Sequence, residues 1–192
     1  MSEQGHKWDA RYRDREAIDA TACAVLTDYI YLLPEKGMAL DLASGLGGNG
    51  QLLARQGLDT WAWDISGLAV DKINDLAKTA GLSLQAECVD VEHDVLPRSG
   101  FDVIVVSYFL NRERMPDYLD LLNPGGILFY QTFTREFVVP SGPSNPAFRL
   151  ARNELLHLTG ALEVLYYREE GVVGDVGSGI RGEAMLIARR PC

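Results

Sequence analysis

The stretch Asp41-Leu42-Ala43-Ser44-Gly45-Leu46-Gly47-Gly48-Asn49-Gly50 sets an acid and then four glycines between a short apolar run and a helical pattern. Glycines at such a junction let the chain turn tightly and let a ligand meet main-chain N–H groups with no side chain between. Residues 45–50 fit G-x-G-x-x-G, a spacing shared by several nucleotide binders and also produced by purely structural turns. Asp64 follows Gly45 by 19 residues, at the end of a second apolar run. A carboxylate there can accept hydrogen bonds from both hydroxyls of a ribose. Asp90 closes a third run, where a carboxylate can accept the exocyclic amine of an adenine. Glu92 and Asp94 compete with it for that role, because the stretch 90–94 carries three acids.

These residues need strand ends to present them. Met38–Ala43 is a short apolar run opening into the glycines, which predicts a buried strand. Residues 48–57 predict a helix ending at Gly57, and Thr60–Trp63 a second strand ending at Asp64. Ser66 is a suitable N-cap for a helix with Val70, Ile73, Leu76, Ala77 and Ala80 on one face, closed by Gly81. Leu82–Val89 is a weaker third strand, and Phe101–Val106, rich in β-branched residues, the clearest one. Met115, Tyr118, Leu119 and Leu122 mark a helix that Asn123-Pro124-Gly125-Gly126 should break sharply before a strand over Ile127–Phe133. A Pro-rich loop near 139–146 and a helix near 152–158 precede two final strands, 162–168 and 184–190. Upstream, Ala22, Val25, Leu26, Tyr29, Ile30 and Leu33 recur at helical spacing up to Pro34.

Strands alternating with helices imply a parallel sheet covered on both faces. Two closing strands with no helix between them imply an antiparallel hairpin at one edge. Ligands bind at the carboxyl ends of the strands in such sheets, which is where the glycine turn and both acids fall.

With 192 residues, of which 47% are hydrophobic, one core is expected, and one domain. Residues 1–36 would form an N-terminal helical lid and residues 37–192 the Rossmann-like core. The chain has 18 basic and 27 acidic side chains, a net charge of −9, and its one dense basic cluster (Arg11, Arg13, Arg15) is interrupted by acids. That disfavours a nucleic-acid partner. Three cysteines without C-x-x-C spacing and three histidines away from them give no metal site and no disulfide framework. No apolar run is long enough to span a membrane, and the start has no leader-like stretch, so a cytoplasmic protein is expected.

The set of motifs resembles the class I S-adenosylmethionine (SAM)-dependent methyltransferases. Asp41–Gly50 is similar to their first motif, Trp63-Asp64 to their second, and Val89-Asp90-Val91 to their third. Phe101-Asp102-Val103-Ile104 resembles their fourth strand, and Leu122-Asn123-Pro124-Gly125-Gly126-Ile127-Leu128 the L-x-P-G-G-x-L turn before the fifth. Trp8-Asp9-Ala10-Arg11-Tyr12 is similar to the W-D-x-R-Y opening of small bacterial members related to tellurite-resistance and thiopurine methyltransferases. The resemblance runs from Trp8 to Arg190. It implies a seven-stranded sheet of order 3-2-1-4-5-7-6 with strand 7 antiparallel, and SAM as cofactor.

The resemblance also implies roles. Ala43, Gly45 and Gly47 would lie against the methionine and ribose portions of SAM, and Asp64 against the ribose. Ile65 would pack on the adenine edge, with Asp90 and the Val91 N–H on the adenine itself. Asp41 would hold the cofactor ammonium or, alternatively, the loop's own amides. Ser107 and Tyr108 would lie beside the sulfonium, where an aromatic face suits a cation. Trp8, Arg11 and Tyr12 would cover the site, Arg11 pairing with the SAM carboxylate. Asn111, Arg112 and Arg135 are placed to touch a methyl acceptor, with capping and surface charge as their alternatives. Loops 134–149 and 171–182 would shape its pocket.

No Asn-Pro-Pro-Tyr and no cysteine follow the fourth strand, which disfavours base-amine and pyrimidine-ring methylation. No catalytic residue is identified, and a small-molecule acceptor is expected. An NAD-dependent oxidoreductase shares the glycine pattern and the ribose acid, but it calls for a Tyr-Lys pair or a substrate domain. A non-catalytic SAM-binding protein stays open as well.

Overall fold

The computed structural model describes residues 2–192. Its core is one sheet of seven strands in the order β3-β2-β1-β4-β5-β7-β6. The strands are β1 (Met38–Leu42), β2 (Asp59–Asp64), β3 (Leu84–Cys88), β4 (Phe101–Ser107), β5 (Leu122–Phe133), β6 (Glu163–Arg168) and β7 (Glu183–Arg189). β1 to β5 run parallel, whereas β7 runs antiparallel to both β5 and β6. This is the expected order, and the terminal hairpin read from the sequence supplies its antiparallel edge.

Alternation along the central strands covers both faces. Val103, Val105 and Phe129 point into one core with Val25, Leu26 and Leu53. Ile104, Val106, Leu128 and Tyr130 point into the other with Met115, Tyr118 and Leu155. Successive residues of a strand face opposite sides, so one run of β-branched residues feeds two layers of helices. The helices are α1 (Glu3–Tyr12), α2 (Ala24–Asp28), α3 (Gly48–Arg55), α4 (Gly67–Ala80), α5 (Met115–Asp120) and α6 (Glu154–Leu158). Ser66 caps α4 by accepting the Ala69 N–H at 3.1 Å, and Gly81 closes it in the left-handed region, as expected from the sequence.

Two elements differ from expectation. The helical pattern over 22–33 is broken into α2 and a 3-10 turn, Ile30–Leu32. The Cys23 and Val25 N–H groups are taken by side chains of α3 and β5, Asn49 Oδ1 and Gln131 Oε1, both at 2.9 Å. Those bonds cap the start of α2, whose first turn is buried, whereas Tyr31 is 72% exposed. The Asn123–Gly126 breaker does not precede β5 but lies inside it. Phe101 pairs with Leu122 and Val103 with Ile127, so the register shift absorbs the extra residues. A Cβ at Gly126 would lie 2.9 Å from Asn123 O and 3.0 Å from Phe101 O, which leaves no room for a side chain.

Candidate cofactor and acceptor site

The carboxyl ends of β1, β2 and β4 meet at the glycine loop. Ala43 follows β1 with φ +56° and Tyr108 follows β4 with φ +55°, a region that L-residues with a Cβ seldom occupy. Strained backbone of this kind persists where the surroundings over-determine it, often at functional sites. Gly47 (φ 75°) is the N-cap of α3, so the first amides of that helix face the loop.

Asp64 ties the loop to β2. One oxygen accepts the Gly45 N–H at 2.7 Å and the other the Ser66 N–H at 2.9 Å. Each carboxylate oxygen has a further lone pair, so the group can still take two ribose hydroxyls. Its burial, against the hydrogen bonds from Ser66 and Gly45, raises its pKa to about 6. Asp41 is fully buried and accepts from Asn49 Nδ2 (3.1 Å) and the Gly50 N–H (2.9 Å). Desolvation outweighs those two bonds and raises its pKa to about 7. Of the two roles open to Asp41, holding the loop is the one visible in these contacts.

Asn49 was not singled out from the sequence, yet it joins the parts. Besides Asp41 it donates to Ser107 Oγ at 2.9 Å and accepts from the Cys23 N–H. A polar residue at an x position of the glycine pattern was the available signal. Ser44 Oγ, in the same loop, is buried with no hydrogen-bond partner among the described residues.

On the adenine side, Asp90 accepts from the Glu92 N–H (3.0 Å) and from His93 Nδ1 (3.0 Å), so it also organises its own turn. Val91 is buried, and its carbonyl accepts from the Tyr118 hydroxyl. Ile65 O lies against α1, 3.1 Å from where a Cβ at Gly5 would sit. Asp94 accepts the Asp90 N–H, and Glu92 accepts from Asn111 Nδ2.

α1 covers this end of the sheet. Asp9 accepts from Ser66 Oγ at 2.6 Å and from the Leu68 N–H at 3.2 Å. Trp8 and Tyr12 stack at 5.6 Å, and a Cβ at Gly45 would lie 3.0 Å from the Tyr12 hydroxyl. Burial first, then the charge of Asp64, pushes the Tyr12 hydroxyl up. Arg11 is exposed, with its guanidinium 5.2 Å from the Trp8 ring centre.

The other half of the cleft belongs to β4, β5 and β7. Gln131 is buried, and its Nε2 donates to Glu183 Oε2 at 2.6 Å and to the Tyr108 hydroxyl at 3.2 Å. The Tyr108 and Phe133 rings lie 5.0 Å apart, tilted by 34°. Loop 134–149 is folded around Arg149, which donates to the carbonyls of Thr134, Pro143 and Ser141. Arg112 is engaged by Glu154 through two bonds, 2.6 and 3.0 Å, and Asn111 Oδ1 accepts the Arg114 N–H. Arg135 Nε reaches Pro146 O at 3.4 Å. A cavity of about 470 Å³ opens beyond these loops among Glu136, Arg152, Glu170 and Arg181. Its charges pair with one another, Arg152 with Glu136 and Arg181 with Glu170, and it lies outside the glycine-loop junction.

Comparison with known proteins fits this geometry. Residues 39–126 match a family model described as a methyltransferase domain. No curated protein matches the sequence. Among solved structures, TehB from Haemophilus influenzae superposes with a TM-score of 0.70 at 23% identity, over 95% of this chain and 67% of that one. A geranyl diphosphate C-methyltransferase from Streptomyces coelicolor, solved with S-adenosyl-L-homocysteine, gives 0.67 at 14%, over 86% and 75%. The [4+2]-cyclase SpnF gives 0.67 at 19%, over 87% and 78%. At these identities the likeness is one of fold, and that fold is the class I SAM-dependent methyltransferase fold. The family model that residues 39–126 match describes a methyltransferase domain, and SAM is the cofactor that domains of that kind use. The glycine cradle, the acid at the end of β2 and the unpartnered Ser44 hydroxyl fit that cofactor.

Proposed function

We propose that the protein transfers the methyl group of SAM to a small-molecule acceptor. The observation that carries this reading is the junction of Asp64 with Gly45, a ribose acid bonded directly to the turn that would face the rest of the cofactor. Gly45, Gly47 and Ala43 would take the methionine and ribose portions against bare backbone. Asp64 would hold the ribose hydroxyls and Ile65, Asp90 and Val91 the adenine. Asp41 supports the loop from below. Ser107 and Tyr108 would flank the sulfonium, and Arg11 would reach the cofactor carboxylate once α1 lies over a bound ligand. When bound, SAM supplies an activated methyl group for in-line displacement, so aligning the acceptor accounts for much of the rate. Two features support a small acceptor: the net charge of −9, which weighs against nucleic acid, and a fold neighbour that methylates geranyl diphosphate.

Isothermal titration calorimetry with SAM, S-adenosylhomocysteine and NADH tests the reading. Micromolar binding of the two adenosyl compounds and no heat from NADH is the expected result. Binding of NADH alone would replace this reading with an oxidoreductase. Binding of none of the three would leave the glycine loop a structural turn.

A further inference from the structure

Glu183 opens β7, and β7 runs against the parallel strands. The first residue of an antiparallel strand falls at the same end of the sheet as the last residues of its parallel neighbours, so Glu183 pairs with Phe133 at the cleft end of β5. Its partner Gln131 cannot turn around. The amide oxygen is fixed by the Val25 N–H, a group that only donates, so Nε2 must face Glu183 and Tyr108. Gln131 thus aims the carboxylate and the phenol at one place. No lysine or arginine pairs with Glu183 among the described residues. Its neighbours are neutral: burial holds Cys23 and Tyr108 protonated, each with its pKa raised to about 12.

The walls beside this carboxylate are apolar. Tyr108 is 49% exposed and packs at a tilt against Phe133, and Phe137 is 39% exposed and sits over Gly182, the residue before Glu183. Arg149 lies against the rings of Phe133 and Phe137 but is itself buried, its donors used by loop carbonyls.

We propose that Glu183, aimed by Gln131 beside Tyr108, is the acceptor-binding carboxylate of this site, and that the acceptor is an amine carried on an apolar body. The inference rests on the methyltransferase reading above and names its substrate class. An unpaired carboxylate at the rim attracts an ammonium group and repels a carboxylate or other oxyanion of the same shape. The bound ammonium first gives one proton to solvent, and the neutral amine's lone pair then forms the new N–C bond while the C–S bond breaks, its electron pair going to sulfur. The positive charge moves from sulfur to nitrogen, towards Glu183, and the surplus proton of the N-methylammonium leaves to solvent. A fixed negative group near the developing charge is stronger in the transition state than before it.

The test uses the full chain saturated with S-adenosylhomocysteine, titrated calorimetrically with phenethylamine and with phenylacetate, which share a ring and differ in charge. The amine is expected to bind at least about tenfold more tightly. Glu183→Gln should abolish that preference, Glu183→Asp should retain it, and both should bind S-adenosylhomocysteine as the wild type does. With SAM in place, phenethylamine should be methylated and phenylacetate not. Equal affinities, tighter binding of phenylacetate, no binding of the amine, or an unchanged preference in Glu183→Gln would overturn the proposal and leave the methyltransferase reading standing. Failure of the wild type to bind S-adenosylhomocysteine would overturn both.

Discussion

Two buried carboxylates carry the pH response of the site. Asp41 and Asp64 have pKa values raised to about 7 and about 6, both chiefly by burial, against about 3.9 for an unfolded aspartate. A raised carboxyl favours its protonated form in the folded state. Its contribution to stability is full below about pH 4 and is lost as pH rises through the folded value. The Tm of the wild type minus that of Asp41→Asn should therefore fall between about pH 4 and about pH 8, read by circular dichroism. A difference that stays flat over this window would remove the burial argument for Asp41. Asp64 has a second consequence, because ribose hydroxyls donate to its ionised form. Asp64→Ala should weaken S-adenosylhomocysteine binding by at least about tenfold, roughly 1.4 kcal/mol. The same carboxylate makes that affinity rise with pH through about 6. Asp64 and the glycines were legible in the sequence because the pattern is local. Gln131 could have been suspected as a polar residue inside an apolar strand, whereas Glu183 carried no sequence signal.

Among the elements, α1 depends on α4 for its place. Lys72 of α4 donates to the carbonyls of Tyr12 (3.2 Å), Arg13 (3.1 Å) and Arg15 (2.5 Å), and pairs with Glu16 at 3.2 Å. An ammonium suits the carbonyl end of a helix, and it gathers acceptors that would otherwise lie open. Lys72→Ala should loosen the docking of α1 by about 1–3 kcal/mol. Hydrogen exchange over residues 3–16 should then quicken while β4 and β5 stay protected. Equal protection in both proteins would mean that Asp9 and the Trp8–Tyr12 stack hold α1 without it. The helix over 22–33 shows the limit of periodicity as a guide. Its apolar spacing is helical, yet the α-helix ends at Asp28 and a 3-10 turn follows, while Asn49 and Gln131 fix only its start. The Asn-Pro-Gly-Gly breaker was legible as chemistry, but its placement inside β5 follows from pairing with Phe101 on β4.

In the molecule as a whole, β5 is the seam between the parallel part of the sheet and the antiparallel edge. Phe129 lies at its centre, 0% exposed, packed with Val103, Val105 and Ile187. Phe129→Ala should cost about 3–5 kcal/mol, read as a lower urea midpoint in a transition that remains cooperative. A loss under about 1 kcal/mol would mean that the seam repacks freely. The sequence by itself determined the alternating strands and helices, the glycine turn, the acids at two further strand ends and the closing hairpin. Each is written in residues near one another along the chain, where period and spacing can be read. Only the tertiary structure decided that Val25, Tyr108, Gln131 and Glu183 share one place. Gln131 stands 106 residues from Val25 and 52 from Glu183, and what joins them is strand register and the reversed direction of β7, which no local pattern encodes.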